Sequence, residues 1–305
     1  HSFTTPIDHS RKKQNTLKKT RRKPTTQYHT PKKKKLSAVL KYLLLFFVLL
    51  IALLMAGTFY LRAYYPTYYQ KILNKLFYSK TNTLYENERI ARIITLHSDK
   101  IFGIDLSHYQ ERDEIQWDSL YITDKRAKYP LQFAVFRATM GNQTTDKNFA
   151  HFWVEAKKHN LIRGAYHYYR PDEDPVKQAN SYINNAPLEK GDLLPIIDVE
   201  QLPKEKSVVQ FLKDIQTWLD LVEKHFQRKP ILYTYINFYE EHLYSMFGDY
   251  PLWVANYNNV AIPTHVFKWQ FWQFTENGIT PGAKVKIDFN VFNGDKEKLK
   301  TFLIK

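Results

Sequence analysis

A short apolar run that ends in two acids stands at residues 195–200: Pro195-Ile196-Ile197-Asp198-Val199-Glu200. Successive side chains of a β-strand point to opposite faces, so Ile197 and Val199 share one face while Asp198 and Glu200 share the other. The apolar face suits packing against helices, and the acidic face suits the mouth of a barrel. The segment therefore predicts a barrel strand that carries two carboxylates into a cavity.

Seven further apolar runs of strand length accompany this one, and helical patterns fall between several of them. The eight runs lie at residues 101–106, 133–138, 162–169, 194–199, 231–235, 252–256, 267–274 and 285–291. The helical patterns lie at residues 146–159, 174–186, 205–227 and 237–247. Strands that alternate with helices in this way predict an α/β fold, a compact (β/α) barrel in a domain spanning residues 99–305.

Positive charge is concentrated at the start of the chain. The formal net charge is +15, and residues 1–41 hold 13 Lys and Arg against a single acid, Asp8. This segment has almost no large apolar residues and cannot bury enough surface to order itself. The remainder is close to neutral, whereas a nucleic-acid enzyme more often carries its excess charge on the folded surface. We expect a disordered basic tail at residues 1–41 and no nucleic-acid partner.

Residues 42–61 contain no charge and consist mainly of Leu, Phe, Val and Ile. A helix of that length spans roughly 30 Å, the thickness of the hydrocarbon layer of a membrane. A buried core helix would have a polar face, and a signal peptide would have a shorter basic region before it. The run therefore predicts one uncleaved transmembrane helix.

The charge on the two sides of this helix predicts its orientation. Cytoplasmic flanks are enriched in Lys and Arg, so the tail should lie in the cytoplasm and the folded domain on the exported side of a bacterial cytoplasmic membrane. Residues 62–98 connect the helix to that domain. Ile90, Ile93 and Ile94 recur there at helical spacing, which predicts a juxtamembrane helical stalk.

Several chemistries are disfavoured by composition. The chain has no cysteine, which excludes a disulfide framework, a Cys-ligated zinc site and a Cys nucleophile. Histidines that could share a divalent metal with the acid pair do not stand nearby, and the 9 glycines form no phosphate-binding loop. We expect neither a metal nor a cofactor.

Acids stand at three of the predicted strand ends: Asp105, the pair Asp198 and Glu200, and Asp288. Neighbouring carboxylates raise one another's pKa, so one of a crowded pair can be protonated near neutral pH. A glycosidase needs such an acid together with an anionic partner. Taken alone, an Asp-Val-Glu strand end is more often a pair of acids that cap loops or bind loop lysines. The context of the pair therefore decides.

That context resembles the glycoside hydrolase family 25 lysozymes. Seven segments in the order of that family carry the resemblance: Phe102–Gln110, Phe133–Thr139, Gly164–Pro171, Pro195–Glu200, Leu252–Tyr257, Trp272–Thr275 and Ile287–Gly294. The resemblance implies an irregular, TIM-like barrel of eight strands with about five helices. It also implies cleavage of the β-1,4 bond between N-acetylmuramic acid and N-acetylglucosamine in the glycan strands of peptidoglycan.

The resemblance also assigns roles. Glu200 would donate the proton, Asp198 would assist it, and Asp105 and Asp288 would complete an acidic floor. Substrate contacts are expected from the following side chains: Tyr168, His167, Arg137, Trp253, Asn256, Trp272 and Gln273. For the aromatic residues and His167, ordinary packing is the competing interpretation. The family usually has Lys-Ala-Thr-Glu-Gly where this chain has Arg137-Ala138-Thr139-Met140-Gly141, so one acid is lost.

Two other functions remain open at this level. A membrane-tethered barrel without activity could serve as a glycan-binding scaffold, although binding alone does not require a buried acid pair. A hydrolase of another N-acetylated glycan, such as chitin, would use the same acids. The sequence predicts nothing about oligomeric state.

Overall fold

A computed structural model describes residues 38–64 and 81–305, with side chains for residues 39–60 and 84–305. These residues belong to two units, which are described separately. The first contains helix α1 (Ala38–Tyr64). Its stretch Val39–Tyr60 has a mean hydropathy of 2.7, so the helix is long and apolar enough to cross a membrane. All of its described side chains are exposed, unlike those of a core helix.

The second unit is built on a closed barrel of eight strands, which confirms the predicted fold. The barrel strands are β1 (Ile101–Leu106), β3 (Lys128–Met140), β5 (Ile162–Tyr168), β6 (Ile196–Asp198), β7 (Ile231–Tyr235), β8 (Leu252–Ala255), β9 (Phe271–Gly278) and β10 (Ile287–Phe292). Two short strands, β2 (Tyr121–Thr123) and β4 (Thr144–Thr145), pair with β3. Pairing of β1 with both β3 and β10 closes the barrel.

The barrel is irregular at one seam. Neighbouring strands are parallel from β1 through β3 to β9, but β10 runs antiparallel to both β9 and β1. An antiparallel pair needs only a short connection, whereas a parallel pair needs a crossover. This agrees with the sequence, in which the last helical pattern ends at residue 247. The seam also places Asp105 of β1 directly opposite Asp288 of β10.

Helices cover the outside of the barrel. They are α2 (Thr81–Leu96), α3 (Phe149–Lys158), α4 (Pro175–Asn185), α5 (Val208–Phe226), α6 (Ile236–Phe238), α7 (Tyr244–Phe247) and α8 (Lys296–Lys300). The described residues therefore hold more helices around the barrel than the five or so expected. The predicted helix at 237–247 is divided by a π-helical turn at Tyr239–Leu243, and α8 has only five residues.

Local signals explain where the main helices begin. Asp174 caps α4 by accepting hydrogen bonds from the backbone N–H groups of Val176 and Lys177, and Pro175 occupies the first helical position. Ser207 caps α5 by accepting from the N–H of Gln210. Both helices bury an apolar stripe against the strands, so the chain after each strand returns along the barrel wall.

Helix α2 lies in the segment for which the sequence predicted a stalk. Ile90, Ile93 and Ile94 of this helix are buried in the hydrophobic core on the outside of the barrel. Residues 81–96 thus pack as part of the barrel unit, because their apolar stripe finds a partner in the wall. The other residues in which the stalk was expected, 65–80, lie outside the described part of the chain.

Alternation along the strands divides the core into two layers. Phe133, Tyr166, Ile196, Tyr233 and Phe271 fill the inside of the barrel. Residues one position away, such as Ile197 and Trp272, pack outward against the helices. The inner layer closes the lower part of the barrel, so that polar side chains near the strand ends meet in an open mouth.

Candidate active site

The mouth of the barrel forms an open cleft of about 960 Å³. All four acids predicted at strand ends line it, namely Asp105, Asp198, Glu200 and Asp288. Asp105 and Asp198 are almost fully buried, and Glu200 and Asp288 are partly buried. Strands from different parts of the chain therefore bring four carboxylates together in one cavity.

Asp105 and Asp288 share a hydrogen-bonding side chain, Gln273 of β9. Its Nε2 donates to Asp105 Oδ2 at 2.8 Å and to Asp288 Oδ2 at 3.2 Å. Asn290 Nδ2 donates a further hydrogen bond of 2.6 Å to Asp105 Oδ2. The Gln273 Oε1 accepts from the Tyr233 hydroxyl at 2.7 Å and also from that of Tyr257. These contacts hold the floor of the cleft in one geometry.

Asp198 is in a different position. It ends β6 in register with Tyr168 and Tyr233, and its Oδ1 has no hydrogen-bond partner among the described residues although it is buried. A buried oxygen without a partner is costly and calls for an explanation. Because the oxygen lies at a cleft that can admit a ligand, an incoming N–H or O–H donor would satisfy it.

The acids raise one another's pKa. Burial raises the pKa of Glu200 to about 7, and the charges of Asp105 and Glu276 add to that effect, while hydrogen bonds from Tyr168 and Tyr235 oppose it. Burial, followed by the charges of Glu200 and Asp105, raises the pKa of Asp198 well above its usual range. Glu200 can therefore carry a proton at neutral pH and also release it.

The remaining two acids follow the same rule. Burial and the neighbouring charge of Asp105 raise the pKa of Asp288 well above its usual range. Burial also raises the pKa of Asp105, against the hydrogen bonds from Gln273 and Asn290. Within residues 38–64 and 81–305, no group of three or more His, Asp or Glu side chains is arranged to hold a metal ion. Proton transfer is the chemistry that this cluster can perform.

Comparison with known proteins identifies the family. A family model described as glycosyl hydrolases family 25 matches residues 104–283. The chain belongs to this family. It is 36% identical to the uncharacterized protein YegX of Escherichia coli (strain K12) over an alignment of 216 residues. That alignment covers 70% of this chain and 76% of YegX. It is 28% identical to Lysozyme M1 of Streptomyces globisporus over 211 residues, which are 65% of this chain and 69% of that lysozyme.

Solved structures agree with this assignment. A family 25 glycosyl hydrolase from Bacillus anthracis is 30% identical with a TM-score of 0.59, covering 67% of this chain and 93% of that one. A bacterial lysozyme from Streptomyces coelicolor is 28% identical with a TM-score of 0.59, covering 67% and 97%. This family 25 member is therefore a glycosidase of the lysozyme type.

Four of the predicted substrate contacts line the family 25 cleft: Arg137, Tyr168, Trp253 and Gln273. Arg137 forms an ion pair of 3.1 Å with the buried Asp146, and its charge lowers the pKa of Asp198. Trp253 is nearly buried, and its Nε1 donates to Asn290 Oδ1 at 2.9 Å. This tryptophan supports the residue that holds Asp105 as well as forming part of the wall.

The other three predicted contacts do not line this cleft. His167 is fully buried and bonds to Thr139 Oγ1 at 2.7 Å and to Gln178 Oε1 at 3.1 Å. Trp272 is fully buried, and its Nε1 donates to the Asn256 carbonyl oxygen at 2.9 Å. The Asn256 Nδ2 donates to the Pro263 carbonyl oxygen at 2.8 Å. Strand alternation turns His167 and Trp272 away from the cleft.

Sequence reasoning missed several residues that the structure places in the cleft. The largest group is aromatic and consists of Tyr109, Tyr166, Tyr233, Tyr235 and Tyr257. Tyr233 and Tyr235 stand two apart at the end of β7, the same spacing that revealed Asp198 and Glu200. The alternation of side chains along a strand could therefore have identified these two tyrosines as cleft residues. His108, Glu276 and Lys286 also line the cleft but follow no pattern that we can name.

Met140 stands in the cleft where the family usually has an acid. Its Sδ lies 3.3 Å from an Arg170 guanidinium nitrogen, and the guanidinium lies over the Tyr168 ring at 5.6 Å from the ring centre. Because Met140 carries no charge, this side of the cleft is more positive than the family pattern implies. The four main acids do not depend on it.

Proposed function

We propose that this family 25 glycosidase cleaves peptidoglycan at the β-1,4 bond between N-acetylmuramic acid and N-acetylglucosamine. The observation that carries the proposal is the pairing, in one cleft, of Glu200, whose pKa is about 7, with the buried Asp198. The naming of several relatives as lysozymes supports the choice of substrate.

Glu200 acts as the general acid in this proposal. Its proton passes to the glycosidic oxygen while the bond from that oxygen to the anomeric carbon breaks, and the departing sugar leaves as an alcohol. The glutamate left behind then takes a proton from water as that water attacks the anomeric carbon. A pKa near the working pH suits both steps, since the group must be protonated in the first and ionised in the second.

Asp198 assists through the 2-acetamido group of the sugar. The unpartnered Oδ1 is free to accept the acetamido N–H, which orients the carbonyl oxygen of that group towards the anomeric carbon. The carbonyl oxygen then attacks as the leaving group departs, and Asp198, in the ionised form that the charge of Arg137 favours, offsets the positive charge of the cyclic intermediate. Direct attack by Asp198 would give the same stereochemical outcome.

Replacing Glu200 by glutamine tests the assignment of the acid. Glu200→Gln keeps the shape but removes the transferable proton, so turnover should fall by about 10²- to 10⁴-fold. Activity is measured by zymography on cell walls and by mass spectrometry of the released muropeptides. Glu240→Gln, an exposed glutamate away from the cleft, is the matched control and should leave turnover unchanged.

The outcomes separate the proposal from its alternatives. Wild-type turnover in Glu200→Gln contradicts the assignment of the donor. A wild-type chain that binds cell walls but releases no muropeptide is a glycan-binding scaffold. A chain that releases products from chitin and not from peptidoglycan has the right chemistry on a different N-acetylated glycan.

Anomeric analysis tests the role of Asp198. Both retaining routes release the β-anomer first, which NMR detects before mutarotation. The assisted route also requires competitive inhibition by a thiazoline that mimics the cyclic intermediate, with no label left on Asp198 by a fluorosugar. An initial α-anomer contradicts retention, and a labelled Asp198 establishes direct attack.

The proposed location follows from helix α1 and the charge before it. Residues 42–61 span the cytoplasmic membrane of a bacterium once, residues 1–41 remain in the cytoplasm, and the barrel of residues 99–305 faces the exported side together with the segment 62–98. The apolar stretch Val39–Tyr60 supports this topology. Protease added to spheroplasts should degrade the barrel and spare an epitope placed before Lys41. Protection of the barrel contradicts export.

A further inference from the structure

A second groove of about 470 Å³ lies beside the catalytic cleft, where helix α2 faces the barrel. Its volume lies within the range of about 300–1,000 Å³ that is usual for ligand sites. Tyr257, Glu276, Asn277 and Lys286 line both the groove and the cleft, so the two are continuous. A polymer bound across the acids can therefore extend into this groove.

Helix α2 forms one wall of the groove and is held firmly in place. Arg89, which is only 3% exposed, donates to both carboxylate oxygens of Glu86 at 2.6 and 2.8 Å and to the Phe274 carbonyl oxygen at 2.8 Å. Thr275 Oγ1 donates to Glu86 Oε1 at 2.9 Å. These bonds connect α2 to strand β9, whose end carries Glu276 and Asn277 into the cleft. The wall is thus preformed.

The lining of the groove is rich in amides and tyrosine rings. Tyr85 is 52% exposed, and the side chains of Asn87 and Asn258 make no hydrogen bond to another described residue. Asn259 and Asn277 line the groove as well. Amide groups can pair with hydroxyl and acetamido groups, and a tyrosine ring can cover the apolar face of a pyranose. This combination recognises an uncharged sugar.

The charges of the groove disfavour an acidic ligand. Glu86 is neutralised by Arg89, and Lys286 donates a hydrogen bond of 2.9 Å to Asn277 Oδ1 beside the acidic Glu276. Among the residues that line the groove, the cations are thus matched by acids. The carboxylates of a stem peptide would find no surplus cation there.

We propose that the groove between α2 and the barrel is an additional subsite, which binds one N-acetylhexosamine of the same glycan strand that is cut in the cleft. The proposal rests on the proposed function, since it takes the substrate to be a glycan polymer. The family model matches residues 104–283 and does not include α2. Helix α2 contributes Tyr85, Glu86, Asn87 and Arg89 to the groove from outside the matched range.

Kinetics with substrates of two lengths test the subsite. The full chain in detergent micelles is given stem-free oligosaccharides of alternating N-acetylglucosamine and N-acetylmuramic acid, a tetrasaccharide and an octasaccharide. The variant Tyr85→Ala with Asn87→Ala should lower kcat/KM about tenfold on the octasaccharide, a loss of about 1.4 kcal/mol, and leave the tetrasaccharide within twofold. Leu84→Ala with Glu88→Gln, two exposed neighbours on α2, should change neither.

Three other outcomes overturn the proposal. An equal fall on both substrates indicates a structural effect on the barrel, and no fall on either shows that the groove takes no sugar. A fall that appears only on the same octasaccharide with its stem peptides attached, measured alongside, assigns the groove to peptide. If the wild-type chain cuts neither oligosaccharide, the proposed reaction fails. The subsite is then tested by calorimetric titration of both oligosaccharides. If the wild-type chain binds the octasaccharide more tightly than the tetrasaccharide, loss of that difference in the alanine variant supports the subsite. An unchanged difference contradicts it.

Discussion

Strand β5 presents Tyr168 and His167 to opposite sides of the barrel wall. Tyr168 lines the cleft beside Glu200, whereas His167 is fully buried and stacks on Trp218 of α5. Strand β9 repeats the arrangement, with Gln273 on the floor of the cleft and Trp272 packed outside. Polar or aromatic character alone therefore does not mark a site residue. The side of the wall on which a residue lies does.

His167 on the outer face and the acids on the inner face are held differently. Outside, His167 uses both ring nitrogens in hydrogen bonds to Thr139 and Gln178. Inside, acids with raised pKa values crowd together, and Asp198 Oδ1 has no partner among the described residues. Satisfied groups stabilise the fold, whereas crowded and unpartnered groups cost stability and become useful only when a substrate arrives. Changes on the two faces should therefore have different consequences.

After Glu200→Gln, the largest effect is expected from Asp198→Asn on the inner face. The amide cannot offset positive charge, and it presents an N–H where the acetamido N–H should bind. We expect turnover to fall by about 10²- to 10³-fold, as when a group that stabilises transition-state charge is removed. Unfolding should occur at the same denaturant concentration or a higher one, because a crowded buried carboxylate is lost. Turnover above a tenth of the wild-type value would show that Asp198 is not part of the chemistry.

The pH dependence of activity gives the next effect. Only the protonated form of Glu200 donates, and its pKa is about 7, so kcat/KM should fall about tenfold per pH unit above that value. The same raised pKa means that the folded chain binds the proton more tightly than the unfolded chain. This contribution to stability is complete below pH 4.5 and is lost as the pH rises through about 7. An activity profile that stays flat to pH 9 contradicts the role of Glu200.

His167 on the outer face should behave in the opposite way. Burial lowers its pKa to about 4, so the folded chain favours the neutral ring, and this contribution to stability is present above pH 6.5 and lost as the pH falls through 4. His167→Gln should remove this loss of stability at acidic pH, because glutamine does not titrate. It should also lower the free energy of unfolding by about 1–3 kcal/mol at pH 7, because hydrogen bonds of the buried ring are lost. Turnover should stay within a few-fold. Urea unfolding across pH measures the first effect, and a 100-fold loss of turnover at intact stability would return His167 to the cleft.

Much of this architecture could be predicted from the sequence because strand signals are local. Alternation placed Asp198 and Glu200 on one face, and the structure has both in the cleft. The same alternation could have placed His167 and Trp272 on the outer face of the barrel wall. They were expected to contact sugar because of their residue types, and alternation along the strand was not applied to them. Glu276 and Lys286 reach the cleft from β9 and the loop before β10. Their position depends on the antiparallel seam, a long-range pairing that no local pattern reveals.

Helix α2 shows the same limit on a larger scale. The spacing of Ile90, Ile93 and Ile94 predicted an amphipathic helix but not its partner. The partner is the barrel wall, and Arg89 reaches the Phe274 carbonyl oxygen at a separation of 185 residues. A stalk and a packed helix have the same periodicity. Only the contacts of the apolar stripe distinguish them, and those depend on the complete fold.

The smallest expected effect compares two tryptophans of similar burial on opposite faces. Trp253 and Trp272 each donate one buried Nε1 hydrogen bond, to Asn290 Oδ1 and to the Asn256 carbonyl oxygen respectively, both at 2.9 Å. A Trp→Phe change at either position keeps a ring but leaves one acceptor unpaired, so each variant should lose about 1–2 kcal/mol of unfolding free energy. Their stabilities should thus be alike, as measured by urea unfolding.

Their activities should differ, because Asn290 also donates to Asp105, whereas the Asn256 carbonyl oxygen makes no hydrogen bond to any of the four acids. Trp253→Phe leaves a smaller ring in the wall of the cleft and releases Asn290 to move, so kcat/KM should fall about three- to tenfold, equivalent to roughly 1 kcal/mol. Trp272→Phe should leave kcat/KM within twofold. If both variants lose activity equally, the inner and outer faces are not functionally separate. In that case the activity of the barrel would depend on its overall packing rather than on the side chains that line its mouth.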